Sequence, residues 1–333
     1  GTTGRPKGVI YTHKMLFWNS INTSISIELT SNDHTINCMP AFHTGGWNVL
    51  LTPMLHRGAT VGIIKKFDAD LIINLLQEKG STIFMGVPTM LKMMKESPSF
   101  DKIQLDKLRY FIVGGEALPH AVIKSWHEKG VSIRQGYGLT EVGPNLTSLH
   151  QNDAEKKLGS IGKPNFYLQT KLVDKQFNEV SAGEIGEFCL KGEVVTPGYW
   201  KNEKATSEAF RDGWFMTGDL MKRDEEGYLY VLDRKKSMFI SGGENVYPAE
   251  VERILATASG IKEVAVIGVP DEKWGEVGKA FLVVNQKIDS QSLADYCCSK
   301  LAKFKIPKHY AVVDELPKND SGKIDRKALK QLL

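Results

Sequence analysis

Between residues 59 and 138, short apolar runs alternate with segments of helical period, and this alternation restricts the fold more than any other feature. Residues 59–64 read as a buried strand. Asp68 is placed to cap a helix that carries Leu71, Ile72, Leu75 and Leu76 on one face and stops at Gly80. Residues 81–87 read as the next strand, and Pro88 opens a short helix. A strand over 110–113 ends at Gly114-Gly115. A helix over 119–129 follows, and then a strand over 131–135 that runs into Gly136-Tyr137-Gly138. This order predicts a parallel sheet with helices on its faces. Ligands of such sheets sit beyond the carboxyl ends of the strands, where both glycine turns fall.

The rhythm changes over residues 157–232. Strand-like runs at 167–173, 186–190 and 228–232 alternate with glycine turns and no long helix, which predicts a small antiparallel, barrel-like sheet. After Asp233-Arg234-Lys235-Lys236 a compact α+β module is expected. Its first helix starts at Pro248, with Val251, Ile254, Leu255 and Ala258 on one face. Strands at 263–269 and 279–284 come next, and then a helix with Leu293, Tyr296, Cys297 and Leu301. The expected class is α/β, with a parallel-sheet subdomain and a β-barrel-like subdomain over 1–233. A mobile α+β C-terminal domain over 234–333 completes it. A chain of 333 residues is long enough for this division.

The 43 basic and 39 acidic side chains leave a net charge of +4, too small an excess to call for nucleic acid, and no basic block stands out. Apolar stretches are strand-sized, so no transmembrane segment is expected. Cys38, Cys189, Cys297 and Cys298 form no CxxC pair, which argues against a zinc site or disulfide framework. Most of them read as small buried hydrophobes in a reducing, cytoplasmic setting. The sequence opens in mid-motif without a start Met, so the natural chain is expected to begin upstream.

Several segments carry chemistry. In GTTGRPKG (residues 1–8) the glycines let backbone N–H groups approach an anion. Thr2 and Thr3 can donate to phosphate oxygens, and Lys7 adds a point charge. The spacing is not the GxxxxGK[ST] of P-loop NTPases. In QGYGLTE (135–141), Tyr137 between Gly136 and Gly138 can stack on a base, and Thr140 can donate to a phosphate. Glu141 can hold Mg²⁺ beside substrate phosphates; a solvated glycine turn is the alternative. In GWFMTGDL (213–220), Asp219 can accept two ribose hydroxyls or act as a cap. SGGENVYPAE (241–250) reads as a glycine-rich loop feeding a helix, with Gly242 and Gly243 open to close ligand approach. PKNDSGKIDR (317–326) presents Lys323 from a loop. His43, in PAFHTGG, reads by itself as a core or turn histidine.

Taken in order, GTTGRPKG, QGYGLTE, GYW (198–200), GWFMTGD, DRKK, SGGENVYPAEVE and PKNDSGKIDR resemble the adenylate-forming superfamily. The nearest branch is its fatty-acid and related acyl-CoA synthetases. The resemblance covers the chain end to end but only the family's C-terminal majority. The family's first subdomain, and the Ser or Thr expected before Gly1, are not represented. It implies a two-step reaction: a carboxylate attacks the α-phosphate of ATP to give acyl-AMP and pyrophosphate, and the thiol of coenzyme A then displaces AMP. A carboxylate must approach a polyanion in the first step, so positioned cations are the expected device.

The resemblance also implies roles. Thr2, Thr3, Gly4 and Lys7 would hold the β- and γ-phosphates. Tyr137 would stack on adenine, and Gly115, Glu116, Gly136 and Gly138 would be further cofactor-binding residues. Thr140 would touch the α-phosphate, and Glu141 would bind Mg²⁺. Asp219 and Arg234 would hold the ribose, and Lys323 would bridge carboxylate and α-phosphate. Lys236 would be the hinge of the small domain, after whose swing Gly242 and Gly243 line the pantetheine channel. The acid pocket would be walled by His43, Trp47, Val87, Gly114 and Gly143, which suits a hydrophobic acid. The Phe42-His43 pair, where amino-acid-activating relatives carry Phe-Asp, disfavours an amino acid substrate. The implied ligands are ATP/AMP, Mg²⁺, coenzyme A and a small carboxylic acid, with homodimerisation left open. The alternatives are an adenylating enzyme that loads a carrier protein or amino acid, and an inactive nucleotide-binding fragment.

Overall fold

The computed structural model describes residues 7–115, 118–286, 288–318 and 324–333. It divides into two compact units. The larger comprises Lys7–Thr217 and Lys222–Val231; the smaller includes Gly218–Met221 and Leu232–Leu333.

The larger unit begins with α1 (His13–Ser26), β1 (His34–Asn37), α2 (Thr44–Asn48), α3 (Leu51–His56) and β2 (Thr60–Ile63). The alternation follows: α4 (Ala69–Glu78), β3 (Ile83–Gly86), α5 (Pro88–Glu96), β4 (Tyr110–Val113), α6 (His120–Glu128) and β5 (Ser132–Tyr137). The strands β3, β4 and β5 pair in parallel as expected, and β6 (Thr147–Ser148) and β7 (Lys163–Pro164) extend the sheet antiparallel. Local chemistry sets the helix starts. The Asp68 carboxylate accepts from Leu71 N at 2.8 Å, and Pro88 occupies the first turn of α5, where its missing N–H costs nothing.

Both faces of the parallel sheet are covered. Phe84, Phe111, Val113 and Ile133 point into one core; Ile83, Tyr110 and Ile112 point into another. The first core holds an aromatic chain, with Phe84–Phe111, Phe111–Trp126 and Trp126–Phe100 centroids 5.4, 4.8 and 4.9 Å apart. Truncating Trp126 to alanine there would cost about 3–5 kcal/mol.

Two local readings need correction. The strand expected to be buried at 59–64 is half-exposed: β2 pairs with β1, and Ile63 remains 68% exposed. The α4 face that is buried is Ile72, Ile73 and Leu76, while Leu71 is 45% exposed. Apolar sequence names the residues able to be buried, but the facing layer selects among them.

The second sheet takes β8 (Gln169–Val173), β9 (Ile185–Lys191), the short α7 (Glu203–Ala209), β10 (Phe210–Arg211), β11 (Trp214–Arg223) and β12 (Leu229–Arg234). Its order is β10-β11-β9-β8 with β12 beside β11, a half-barrel-like antiparallel sheet. β11 is not evident from sequence, because a glycine at 218 has the local signature of a turn. Gly218 has φ +72° inside the strand, so the chain passes through it without reversing.

The smaller unit continues with β13 (Phe239–Ser241), β14 (Glu244–Val246), α8 (Pro248–Leu255), β15 (Ile261–Asp271) and β16 (Gly275–Val284). It ends with α9 (Ser290–Cys298), β17 (His309–Val312) and α10 (Arg326–Lys330). The period of two along β15 builds its core. Val264 and Val266 face one cluster with Val251 and Leu255, while Ala265, Ile267 and Val269 face another with Leu329. Among the described residues, no helix is long and apolar enough to cross a membrane. Cys38, Cys189 and Cys297 are buried, and Cys298 is exposed.

Candidate functional site

In the larger unit, the residues after β4 and β5 form a glycine-walled edge. Gly114 follows β4, and a Cβ there would lie 3.5 Å from the Gly136 carbonyl. Gly115 has φ +88°. Gly136 and Tyr137 lie within β5, opposite Ser148 and Thr147, so the expected strand at 131–135 runs two residues further. The Tyr137 ring stands edge-on to Phe188 at 5.9 Å. Gly138 is fixed by contact: a Cβ would come within 2.2 Å of the Pro144 carbonyl.

Thr140 is exposed on a 3-10 turn over Thr140–Val142 that places Glu141 beside Tyr199. The Tyr199 hydroxyl donates to Glu141 Oε1 at 2.9 Å, and Lys7 Nζ lies 4.0 Å above the centre of the same ring. Thus the candidate phosphate lysine and the candidate metal carboxylate meet on one tyrosine. Tyr199 lies within GYW, a segment whose residue types alone carry no signal for this contact.

The donor set at Glu141 fits Mg²⁺ held chiefly by a nucleotide. Among the described residues no group of three or more His, Cys, Asp or Glu could hold a metal by itself. Mg²⁺ commonly takes one or two carboxylates and completes its shell with phosphate oxygens and water. Glu141 is half-exposed, and its Oε1 is oriented by Tyr199.

The pocket-wall candidates fall on neighbouring elements of this unit. His43 is exposed and caps α2, its Nδ1 accepting from Gly45 N at 3.0 Å. A Cβ on Gly45 would lie 3.9 Å from the Met85 side chain, so the start of α2 sits by the end of β3. Val87 joins β3 to α5 at the N-cap position. Trp47 packs edge-on to Tyr11 at 5.3 Å. Burial pushes the Tyr11 hydroxyl up to about 12, and Asn48 donates to it. Gly143 has φ +78°, and a Cβ there would lie 2.8 Å from Asn19 Oδ1, a buried oxygen with no donor among the described residues.

In the smaller unit, Asp219 is buried on β11 and its Oδ1 lies 2.5 Å from Arg234 Nε at the end of β12. It is not a helix cap. The neighbouring Asp233 accepts from Ala249 N at 2.8 Å and from Arg234 N at 2.6 Å, which ties the end of β12 to the first turn of α8. Burial raises the Asp233 carboxyl above its ordinary range. Lys236 is exposed in the turn that follows. Gly242 and Gly243, with φ +59° and +87°, make the two-residue turn of the β13–β14 hairpin, where the sequence suggested only a loop. Gly242 also lies against Trp274, whose ring a Cβ would approach to 2.7 Å.

Thr2, Thr3, Gly4, Glu116 and Lys323 lie outside the described residues. The residues next to Lys323 are described: Lys318 and Ile324 form an antiparallel bridge, and Asp325 N donates to the Pro317 carbonyl at 2.8 Å. Just beyond, Arg326 Nη2 meets both oxygens of the partly buried Glu252 at 2.6 and 2.8 Å.

Residues 1–200 match the model of the AMP-binding enzymes, and residues 250–323 match the model of the AMP-binding enzyme C-terminal domain. A feruloyl-CoA synthase of an Amycolatopsis species is 39% identical over 326 residues, covering 97% of this chain and 66% of that protein. A long-chain-fatty-acid–CoA ligase of Mycobacterium tuberculosis is 38% identical, covering 99% of this chain and 66% of that protein. The solved o-succinylbenzoate coenzyme A synthetase of Bacillus subtilis, in complex with ATP and a magnesium ion, superposes with a TM-score of 0.92 at 35% identity. That match covers 99% of this chain and 68% of the other. The chain thus spans about two thirds of the length of these relatives.

Proposed function

The chain belongs to the AMP-binding enzymes, and from that premise we propose that the protein is an ATP-dependent acid–CoA ligase acting on a hydrophobic carboxylic acid, fatty or aromatic. The observation that carries this reading is the meeting of Lys7 and Glu141 on Tyr199, within the unit that holds the glycine-walled ends of β4 and β5. A cation and a carboxylate held together in this way suit a nucleotide polyphosphate with its metal.

In the first half-reaction a carboxylate oxygen bonds to the α-phosphorus. The bond from that phosphorus to the bridging oxygen breaks, and pyrophosphate leaves. In the second, the sulfur of coenzyme A bonds to the acyl carbon, AMP leaves and the thiol proton goes to solvent. Lys7, with Thr2, Thr3 and Gly4, holds the β- and γ-phosphates. Tyr137 stacks on adenine, and Gly115, Glu116, Gly136 and Gly138 also contact the nucleotide. Thr140 reaches the α-phosphate, and Asp219 with Arg234 takes the ribose. Glu141 holds Mg²⁺, which supplies charge neutralisation at the phosphates. Lys323 neutralises the two anions that must meet. Lys236 is the hinge, and Gly242 and Gly243 admit the pantetheine arm. His43, Trp47, Val87, Gly114 and Gly143 wall the acyl group. The named relatives act on feruloyl and long-chain acyl groups, which supports a hydrophobic acid.

The test is acid-dependent formation of AMP and acyl-CoA across aromatic and fatty acids of graded length. Absence of AMP with every acid would refute the reading. Lys323→Ala is expected to abolish adenylate formation while sparing thioester formation from supplied acyl-adenylate. Equal loss of both would remove the role given to Lys323.

A further inference from the structure

The GYW segment is the one motif to which the reading above gives no chemistry. It is tied to three parts of the larger unit. Val9 and Tyr199 form an antiparallel bridge, Ile10 N donates to the Gly198 carbonyl at 3.0 Å, and Trp200 N donates to the Gly8 carbonyl at 2.7 Å. The residues that follow Lys7 are therefore laced to residues 198–200. Thr196, itself buried, extends the lacing: its hydroxyl donates to the Ile10 carbonyl at 2.7 Å, and its N–H donates to the Glu141 carbonyl at 2.8 Å. Tyr199 N donates to Thr206 Oγ1 at 2.9 Å, which anchors the segment on α7. Gly198 is required at its place, because a Cβ would come within 2.5 Å of the Thr206 side chain.

Tyr199 stands at the middle of this strap and is 6% exposed. Its hydroxyl holds Glu141 Oε1 while its ring face receives the Lys7 ammonium. The two contacts use different parts of the side chain, so they are separable by substitution. An oxygen donor fixes which carboxylate oxygen of Glu141 is left for a metal. The ring face holds a cation through its quadrupole without consuming the ammonium's hydrogens.

We propose that Tyr199 is a positioning residue of the nucleotide site: its hydroxyl orients Glu141 for the metal and its ring seats Lys7 for the terminal phosphates. This rests on the phosphate and metal roles given above to Lys7 and Glu141. Groups that orient a metal ligand through a hydrogen bond typically change metal affinity about 10- to 100-fold when removed.

The experiment titrates Mn²⁺ against the protein with ATP no more than equimolar to it, following free Mn²⁺ by electron paramagnetic resonance against an ATP-only reference, with no acid or coenzyme A present. Tyr199→Phe keeps the ring and removes the donor. It is expected to weaken Mn²⁺ binding about 10-fold or more, with pyrophosphate inhibition and Tm little changed. Tyr199→Leu removes the ring as well and is expected to raise the inhibition constant for pyrophosphate severalfold. Trp200→Ala, on the exposed neighbour, serves as control and leaves both readings unchanged. The proposal is overturned if Tyr199→Phe binds Mn²⁺ like the wild type, or if Phe and Leu weaken pyrophosphate equally. It is also overturned if Tyr199→Phe loses its native circular dichroism, since the hydroxyl is then a structural requirement. Because the Mn²⁺ titration needs no acid, the ligase reading can fail on the acid panel while this inference is judged separately.

Discussion

Arg234 sets its Nε 2.5 Å from Asp219 Oδ1, so a half-exposed guanidinium orients a carboxylate that is almost wholly buried on β11. The contact holds the Asp219 side chain against the end of β12. It also explains why two residues fifteen apart in sequence act as one unit: β11 and β12 are neighbours in the sheet.

If this pair takes the ribose, Asp219→Asn should raise the KM for ATP about 10- to 100-fold, the scale of losing hydrogen bonds to a charged group. Asp219→Asn keeps the shape and removes the charge, so the KM for the acid should move much less. Steady-state kinetics with each substrate varied in turn provides the check. Equal effects on both KM values would argue against a ribose role.

Gly138 offers a steric prediction. A Cβ there would press within 2.2 Å of the Pro144 backbone, which no side-chain rotation can relieve. Gly138→Ala should therefore cost about 2–4 kcal/mol and impair the loop that carries Thr140 and Glu141. Gly130→Ala is the comparison: Gly130 has φ +77° but nothing within 4 Å of its Cβ position, so only the backbone cost of about 1–2 kcal/mol applies. Denaturant melts of the two variants distinguish steric pressure from backbone strain.

Asp33 gives a pH prediction with a definite sign. Burial pushes its carboxyl up, but hydrogen bonds from Thr82, Thr30 N and Arg109 outweigh burial and hold it below the ordinary range. Its stabilising contribution is thus present above the ordinary carboxylate pKa and is lost as pH falls through the lowered value. Asp33→Asn should cost about 1–3 kcal/mol at neutral pH and flatten the acid limb of the stability profile. Asp233 and Glu252 have the opposite sign, because burial raises both. Their contribution is fully present below the ordinary carboxylate range and fades as pH rises through their raised values. Asp233→Asn should therefore flatten the stability curve on the side above that range. Urea melts from pH 3 to 8 test both variants.

Short-range sequence signals made much of the fold legible. Asp68 and Pro88 each announce a helix start through a local backbone requirement, and the structure places α4 and α5 at those starts. The apolar run at 110–113 becomes β4, buried along its whole length. β11 was not legible, because Gly218 inside a strand has the same local signature as a glycine in a turn. The pairing of β11 with its neighbours settles it.

The sequence by itself determined the β-α alternation between residues 59 and 138 and the starts of α4, α5 and α8. Those are properties of neighbours along the chain. Tertiary structure alone decided which side chains meet. Tyr199 joins Lys7 to Glu141 across gaps of 192 and 58 residues because residues 196–200 happen to lie beside both. It also decided what is buried on α1, where Asn19, Asn22 and Thr23 face inward and Phe17 is 49% exposed. Asn19 is held by the Asn48 carbonyl and Thr23 accepts from Asn145. The apolar residues of α1 are split between the two faces, with Met15 buried and Phe17 exposed, so periodicity gives no choice of face. Hydrogen-bond partners from distant elements hold the polar residues inward, and one-dimensional pattern carries no record of them.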